Sequence, residues 1–268
     1  MYTDRVKFIE ESHQYFIGDD IELVSVSQFT DKFKPHVDWD VIAEKVAKKK
    51  TRSGELTSKE DILKKWERKR NLSAEIGTLY HSQREDELLS SDNVELDGSI
   101  YSVCKPSYSD GLKWSIDINK LKDNTIYPEL MIYNTEYGIC GQSDKVIINK
   151  GKIDIIDYKS DQEIKFKAYS SKWVKPEKLL EPISHLDNCN GNIYSIKMSI
   201  YMYLLWKANG GKLKPGDLIL EHVELERDED DDNIPILKDG KPVVKNIKQI
   251  KIPYRKREVI DMFSKSIK

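Results

Sequence analysis

The sequence predicts a mixed α/β fold of α+β character, built on an antiparallel strand meander with helices before and after it. Three observations predict it. Strand-like segments joined by short turns run from Tyr127 to Ser160. The segment from Asn192 to Ala208 has the length and apolar density of a buried helix, and two lysine-rich helical stretches precede Leu89.

In chain order, VKFIEESHQYFIG, from Val6, reads as two short strands around a turn. VSVSQFTDKF, from Val24, starts like a helix with Ser25 or Ser27 as its cap, and Pro35 ends it. The basic helices cover Asp38–Lys50 and Ser58–Leu89. TRSG with Gly54 breaks them apart, and a bend is expected near Asn71. Residues 92–123 give weak strand signals. The meander follows as YPELMIYN, YGICGQSDKVIIN and KIDIIDYKS, joined by NTEYG and by a tight turn at Lys150–Gly151. Gly210 and Gly211 stop the buried helix. DLILEHVEL, PILKDGKPVV and NIKQIKIPY then supply late strands before a last helix from Arg255.

A chain of 268 residues can bury a substantial core, so one unit over 1–268 is expected, with 36–75 as a basic helical insertion or arch within it. Charged residues make up 34%, but 14 Tyr, 5 Trp and 6 Phe supply enough large side chains for order. The cysteines, Cys104, Cys140 and Cys189, are scattered and odd in number, which argues against a disulfide framework and for a reducing compartment. With no signal-like or membrane-length apolar run, a cytoplasmic protein without a membrane partner is expected.

The net charge of -2 says nothing of a partner, but its distribution does. Lys45–Arg70 holds eleven Lys or Arg against four Asp or Glu, whereas ELERDEDDD at 224–232 reads as a solvated acidic loop. The basic stretch, including Lys64, Lys65, Arg68 and Arg70, reads as a wall for phosphates, with Trp66 packed inward.

The segment GQSDKVIINKGKIDIIDYKS carries the chemistry. If Lys150 and Gly151 form the turn, residues equally far from it face each other, which sets Asp144 opposite Asp157. Directly opposed Cβ atoms lie roughly 5 Å apart, so the two carboxylates can share a hard divalent cation. Lys159, two residues past Asp157, falls on the same face, together with Val146, Ile148, Ile153 and Ile155. Such a lysine can polarise an attacking water and offset charge developing on a phosphate, so hydrolysis of a phosphodiester is expected. The alternative is a plain salt-bridged sheet margin.

Upstream, Gly77, His81 and Glu85 recur at four-residue steps on one helical face. Spacing alone leaves His81 balanced between a metal ligand and an ordinary helix residue, and it does not settle whether Glu129 reaches the same margin or ends a strand in water.

GTLYH at 77–81, PE at 128–129, GQSDKV at 141–146, DYKS at 157–160 and a helix bearing Tyr201 occur in the order found in the PD-(D/E)xK nucleases. Among these, the chain resembles the RecB-like exonucleases, which include many phage proteins and a mitochondrial genome maintenance exonuclease. HQYF at 13–16 and LVSVSQF at 23–29 add to the likeness, which spans about half the chain. The resemblance implies a restriction-endonuclease-like core with a central mixed sheet flanked by helices. It also implies Mg²⁺ or Mn²⁺, one or two ions, bound by His81, Asp144, Asp157 and the Tyr158 carbonyl. Lys159 is then the catalytic lysine, and Glu129 supports a metal or its water.

Two features depart from the family. Lys197 stands where relatives often carry Gln, four residues before Tyr201, which bears on how both residues meet the phosphate backbone. Three scattered cysteines do not suit the iron-sulfur cluster of some relatives, so none is expected. The expectation is therefore a metal-dependent DNA exonuclease acting on ends or single strands, of phage or mobile-element origin. The alternatives are an endonuclease of the same fold and a non-catalytic nucleic-acid-binding module.

Overall fold

The computed structural model describes residues 5–18, 21–48, 56–172, 174–228 and 234–266. It begins with an antiparallel meander, β1 (Val6–Ile9), β2 (Gln14–Ile17) and β3 (Ile21–Ser25). The helix expected from Val24 starts two residues later as α1 (Val26–Asp31). Ser25 ends β3 and also caps α1, its hydroxyl accepting from the Gln28 N–H while the Gln28 side chain accepts from the Ser25 N–H.

Next come α2 (Trp39–Ala47), capped by Asp38, and α3 (Lys59–Leu89), capped by Ser58 with Glu60 and Asp61 in its first turn. The TRSG break lies outside the described residues, and α3 runs through Asn71 as a single 31-residue helix. Trp66 packs edge-on against Trp39, ring centres 5.8 Å apart.

The weakly patterned region folds into β4 (Asn93–Leu96), β5 (Ser99–Val103), β6 (Ser107–Ser109) and β7 (Leu112–Trp114). The long strands follow: β8 (Thr125–Asn134), β9 (Ile139–Asn149) and β10 (Lys152–Lys159), an antiparallel meander as expected. Lys150 (φ 50) and Gly151 (φ 68) both adopt left-handed backbone, the requirement of a tight two-residue hairpin turn.

After α4 (Asn190–Ala208), β11 (Lys214–Leu225) lies parallel to β10. The stretch read as one late strand, PILKDGKPVV, is instead divided. Short β12 (Arg227–Asp228) pairs with β13 (Ile234–Pro235), and β14 (Leu237–Lys238) with β15 (Lys241–Pro242). The start of the acidic run ends β11 and forms β12, and residues 229–233 lie outside the described residues. β16 (Val244–Ile252) pairs with β11, and α5 (Lys256–Ser266) closes the chain.

Among the described residues, twelve strands form one mixed sheet whose main path runs β16-β11-β10-β9-β3-β2-β1-β7-β6, with β8 on the other edge of β9. α4 covers one face. Nearly all of its surface is buried, against Val146, Ile148, Ile153, Ile155, Leu218 and Leu220. α3 covers the opposite face, where Ile76 and Tyr80 pack on Ile126, Ile147, Ile156 and Tyr158. Among the described residues no helix is long and apolar enough to cross a membrane.

Candidate active site

β9 shares one edge between two partners. β3 runs parallel to it at Ile139–Cys140, and β10 runs antiparallel from Lys145 to Asn149. Between them, Gly141–Asp144 pairs with neither strand on that edge, and the site forms at this opening. The register places Ile155 against Val146 and Ile156 against Lys145, as the turn predicted, so Asp157 comes level with Asp144 where the backbone ladder stops. In place of the ladder, Asp144 Oδ2 accepts the Tyr158 N–H at 2.6 Å.

On the other edge, Pro128 pairs with Lys145 and Leu130 with Ser143, which sets Glu129 level with Asp144. Glu129 has φ 44, a left-handed conformation that a glutamate holds only when its surroundings fix it. Three carboxylates from three adjacent strands therefore stand in one row.

From α3, His81 Nδ1 lies 3.4 Å from Asp144 Oδ1, and its Nε2 lies 3.1 Å from the Tyr158 carbonyl oxygen. Ligand atoms of His81, Glu129 and Asp144 all lie within 4.8 Å of one another, so this group could hold a metal ion. Two carboxylates and an imidazole suit a hard or borderline divalent cation. Asp157 is engaged differently: it forms an ion pair with Lys159, whose Nζ also donates to the Tyr158 carbonyl at 2.8 Å. Of the ligands implied by resemblance, the structure thus groups His81 and Asp144 with Glu129, and turns Asp157 toward the lysine.

The electrostatics follow from burial and proximity. Burial, and then the Asp144 charge, push Glu129 up to about 7. Burial alone would raise Asp144 as well, but the His81 hydrogen bond, Lys159 and the Tyr158 N–H together hold it below the usual carboxylate range. Burial raises Asp157, an effect that Lys159 opposes. For Lys159 burial disfavours the charge, yet Asp157 and Asp144 outweigh it and keep the ammonium above its usual value. Burial likewise disfavours the His81 cation, and the Asp144 hydrogen bond overcomes it.

α4 supplies the floor. Tyr201 is buried against Gly141, where an added Cβ would stand 2.7 Å from the Tyr201 Oη. Gly77, in contrast, could carry a Cβ, which would meet Ser160 Oγ at an ordinary 3.6 Å. Lys197 Nζ donates to Ser27 Oγ at 2.9 Å. Burial, followed by the nearby Lys34 and Lys159 charges, lowers its pKa.

Two residues that the sequence reading passed over belong here. The Tyr194 ring lies 5.1 Å from Lys159 Nζ, and its hydroxyl donates to Asp161 Oδ2 at 2.8 Å. Tyr194, Lys197 and Tyr201 share one face of α4 at steps of three and four, which is the signal that could have found Tyr194.

Lys64, Lys65, Arg68 and Arg70 are all exposed on α3. At 1.5 Å per residue they stand about 16 to 25 Å along the helix from His81, so the structure does not bring them to the cluster of His81, Glu129 and Asp144. Beside the cluster opens a cleft of about 620 Å³, lined by Glu10, His13, His81, Glu85, Tyr108 and Glu129 among others. Compared with family models, curated proteins and solved structures, the chain matches none of them.

Proposed function

We propose that the chain is a divalent-metal-dependent nuclease that hydrolyses phosphodiester bonds of DNA at ends or in single strands. The observation that carries this reading is the row Glu129–Asp144–Asp157 at the opening of the sheet, with His81 above it and Lys159 beside it. Three acids gathered in a buried place disfavour one another, and a cation relieves the repulsion. Mg²⁺ or Mn²⁺ held by His81, Glu129 and Asp144 would polarise a phosphate oxygen as a Lewis acid.

The remaining work belongs to the chain's own groups. Lys159, kept protonated by the acids around it, presents a cation to the charge that develops on the scissile phosphate. Asp157 orients that ammonium through their ion pair. Before a cation binds, burial and the Asp144 charge raise Glu129 to about 7, so it would give up its proton on taking the cation.

The same ion pair favours a second reading, a nucleic-acid-binding module in which Asp157 and Lys159 only brace the sheet margin. End-labelled linear single-stranded, linear duplex and closed circular DNA, incubated with Mg²⁺, Mn²⁺ or EDTA, separate the readings. Metal-dependent loss of linear DNA that disappears in Lys159→Ala supports the exonuclease. Cutting of the circle assigns an endonuclease, and metal-independent binding without cleavage assigns the module.

A further inference from the structure

Beyond Lys159 the chain leaves the sheet and runs for some thirty residues before α4. Within it, residues 164–175 contain four lysines, Lys165, Lys167, Lys172 and Lys175, and no acidic residue. All four are exposed, and so are Phe166 at 38% and Tyr169 at 77%.

The segment is tied down by its backbone. The Lys165 N–H donates to Asn190 Oδ1 at 2.8 Å, the Lys165 carbonyl accepts from the Gly191 N–H at 2.8 Å, and the Ala168 N–H donates to Asp187 Oδ2 at 3.0 Å. Gly191 makes the approach possible, since a Cβ there would come within 2.5 Å of the Lys165 carbonyl oxygen. With the main chain fixed in this way the lysines and Tyr169 are exposed, while the Phe166 ring lies against Gly191. Lys165 meets Glu163 at 3.1 Å, but both are largely exposed, and such a pair adds little.

Asp161, Glu163, Lys165, Lys167, Tyr169 and Asn190 are among the residues that line a cleft of about 430 Å³. It adjoins the reactive centre, because Asp161 accepts from the Tyr194 hydroxyl and the Tyr194 ring lies beneath Lys159. A cleft of this size takes a group as large as a nucleotide. Lysines beside an exposed ring are the combination that binds a single strand, because a base offers its face for stacking only when unpaired.

We propose that residues 164–169 form a track for single-stranded nucleic acid leading to Lys159, with Lys165 and Lys167 on backbone phosphates and a base stacked on Tyr169. The proposal rests on the nuclease reading and deepens it by naming the strand form that the site takes. It also places strand contact nearer the reactive lysine than the basic part of α3.

The test is fluorescence anisotropy of a labelled, unstructured single-stranded oligonucleotide and of its duplex, in EDTA, over a range of salt. Wild type, Lys165→Ala/Lys167→Ala, Tyr169→Ala and Lys64→Ala/Lys65→Ala are compared. The Lys165/Lys167 variant should bind the single strand about tenfold more weakly, and its salt slope should fall by about 0.7 for each lysine removed. Tyr169→Ala should lose about tenfold at an unchanged slope. These side chains are exposed, so melting temperatures should stay at the wild-type value. If both track variants match wild type in affinity and slope, the track is wrong, and the nuclease reading stands or falls on the separate cleavage assay with Mg²⁺ or Mn²⁺. If wild type neither binds nor cleaves, both fall together.

Discussion

At Asp144 one carboxylate faces two ways, since Oδ2 accepts the Tyr158 N–H while Oδ1 faces His81 in the group that could hold a metal ion. Two substitutions should separate these roles. Asp144→Asn keeps an acceptor for the amide, whereas Asp144→Ala strands a buried N–H, at about 1–3 kcal/mol. Both should abolish metal-dependent cleavage, and chemical denaturation should show the alanine variant as clearly the less stable. Equal stabilities would contradict the capping role. For Lys159→Ala a loss of cleavage on the order of 10²- to 10⁴-fold is expected with the fold intact, read from initial rates on labelled DNA.

Lys197 gives a pH-dependent prediction. Its folded pKa is lower than in the unfolded chain, so its charged form weakens the fold. That penalty is complete below the folded pKa and fades as pH rises toward the ordinary lysine value of 10.5. Lys197→Gln should therefore melt higher than wild type at pH 7, and the gap should close as pH approaches 10.5. A constant gap would show that charge burial is not the cause.

At the scale of elements, the β9–β10 hairpin could be read from sequence because its determinants are local. Lys150–Gly151 set the turn, alternation set the faces, and together they placed Asp144 level with Asp157. Glu129 was harder to place. Its position depends on a longer connection between β8 and β9 and on a left-handed backbone that no local signal demands of glutamate. β3 was hidden because its pairing with β9 is parallel and distant in sequence, and the Val24–Ser25 signal resembles a helix start. The segment after Lys159 has no periodicity, since it is held by backbone bonds to side chains and to the start of α4. The tight seat between β9 and α4 predicts that Gly141→Ala displaces Tyr201 and Val26 and costs about 1–3 kcal/mol, measurable by denaturant unfolding. A neutral result would mean that α4 can recede without penalty.

For the whole molecule, the group that could hold a metal ion joins elements far apart in sequence: α3 through His81, β8 through Glu129 and β9 through Asp144. A cation binding there stabilises the native state by mass action, about 2.7 kcal/mol at a hundred times its dissociation constant. For a chain of this size that corresponds to a rise of roughly 5–10 °C in melting temperature. Mn²⁺ or Mg²⁺ should produce such a shift in wild type, EDTA should reverse it, and His81→Ala should remove most of it. A shift that survives in His81→Ala would place the cation elsewhere.

The amide capped by Asp144 bears on how this chain could change under mutation without selection for activity. Asp157 pairs with Lys159, which also donates to the Tyr158 carbonyl and stands over the Tyr194 ring, so a drifting lineage that lost both side chains together would strand no main-chain N–H. Asp144 is bound into the main-chain bonding of the sheet and would be retained longer. Inactive descendants should then be recognisable by a surviving Asp144 beside an altered Asp157 and Lys159, a remnant kept for its hydrogen bond.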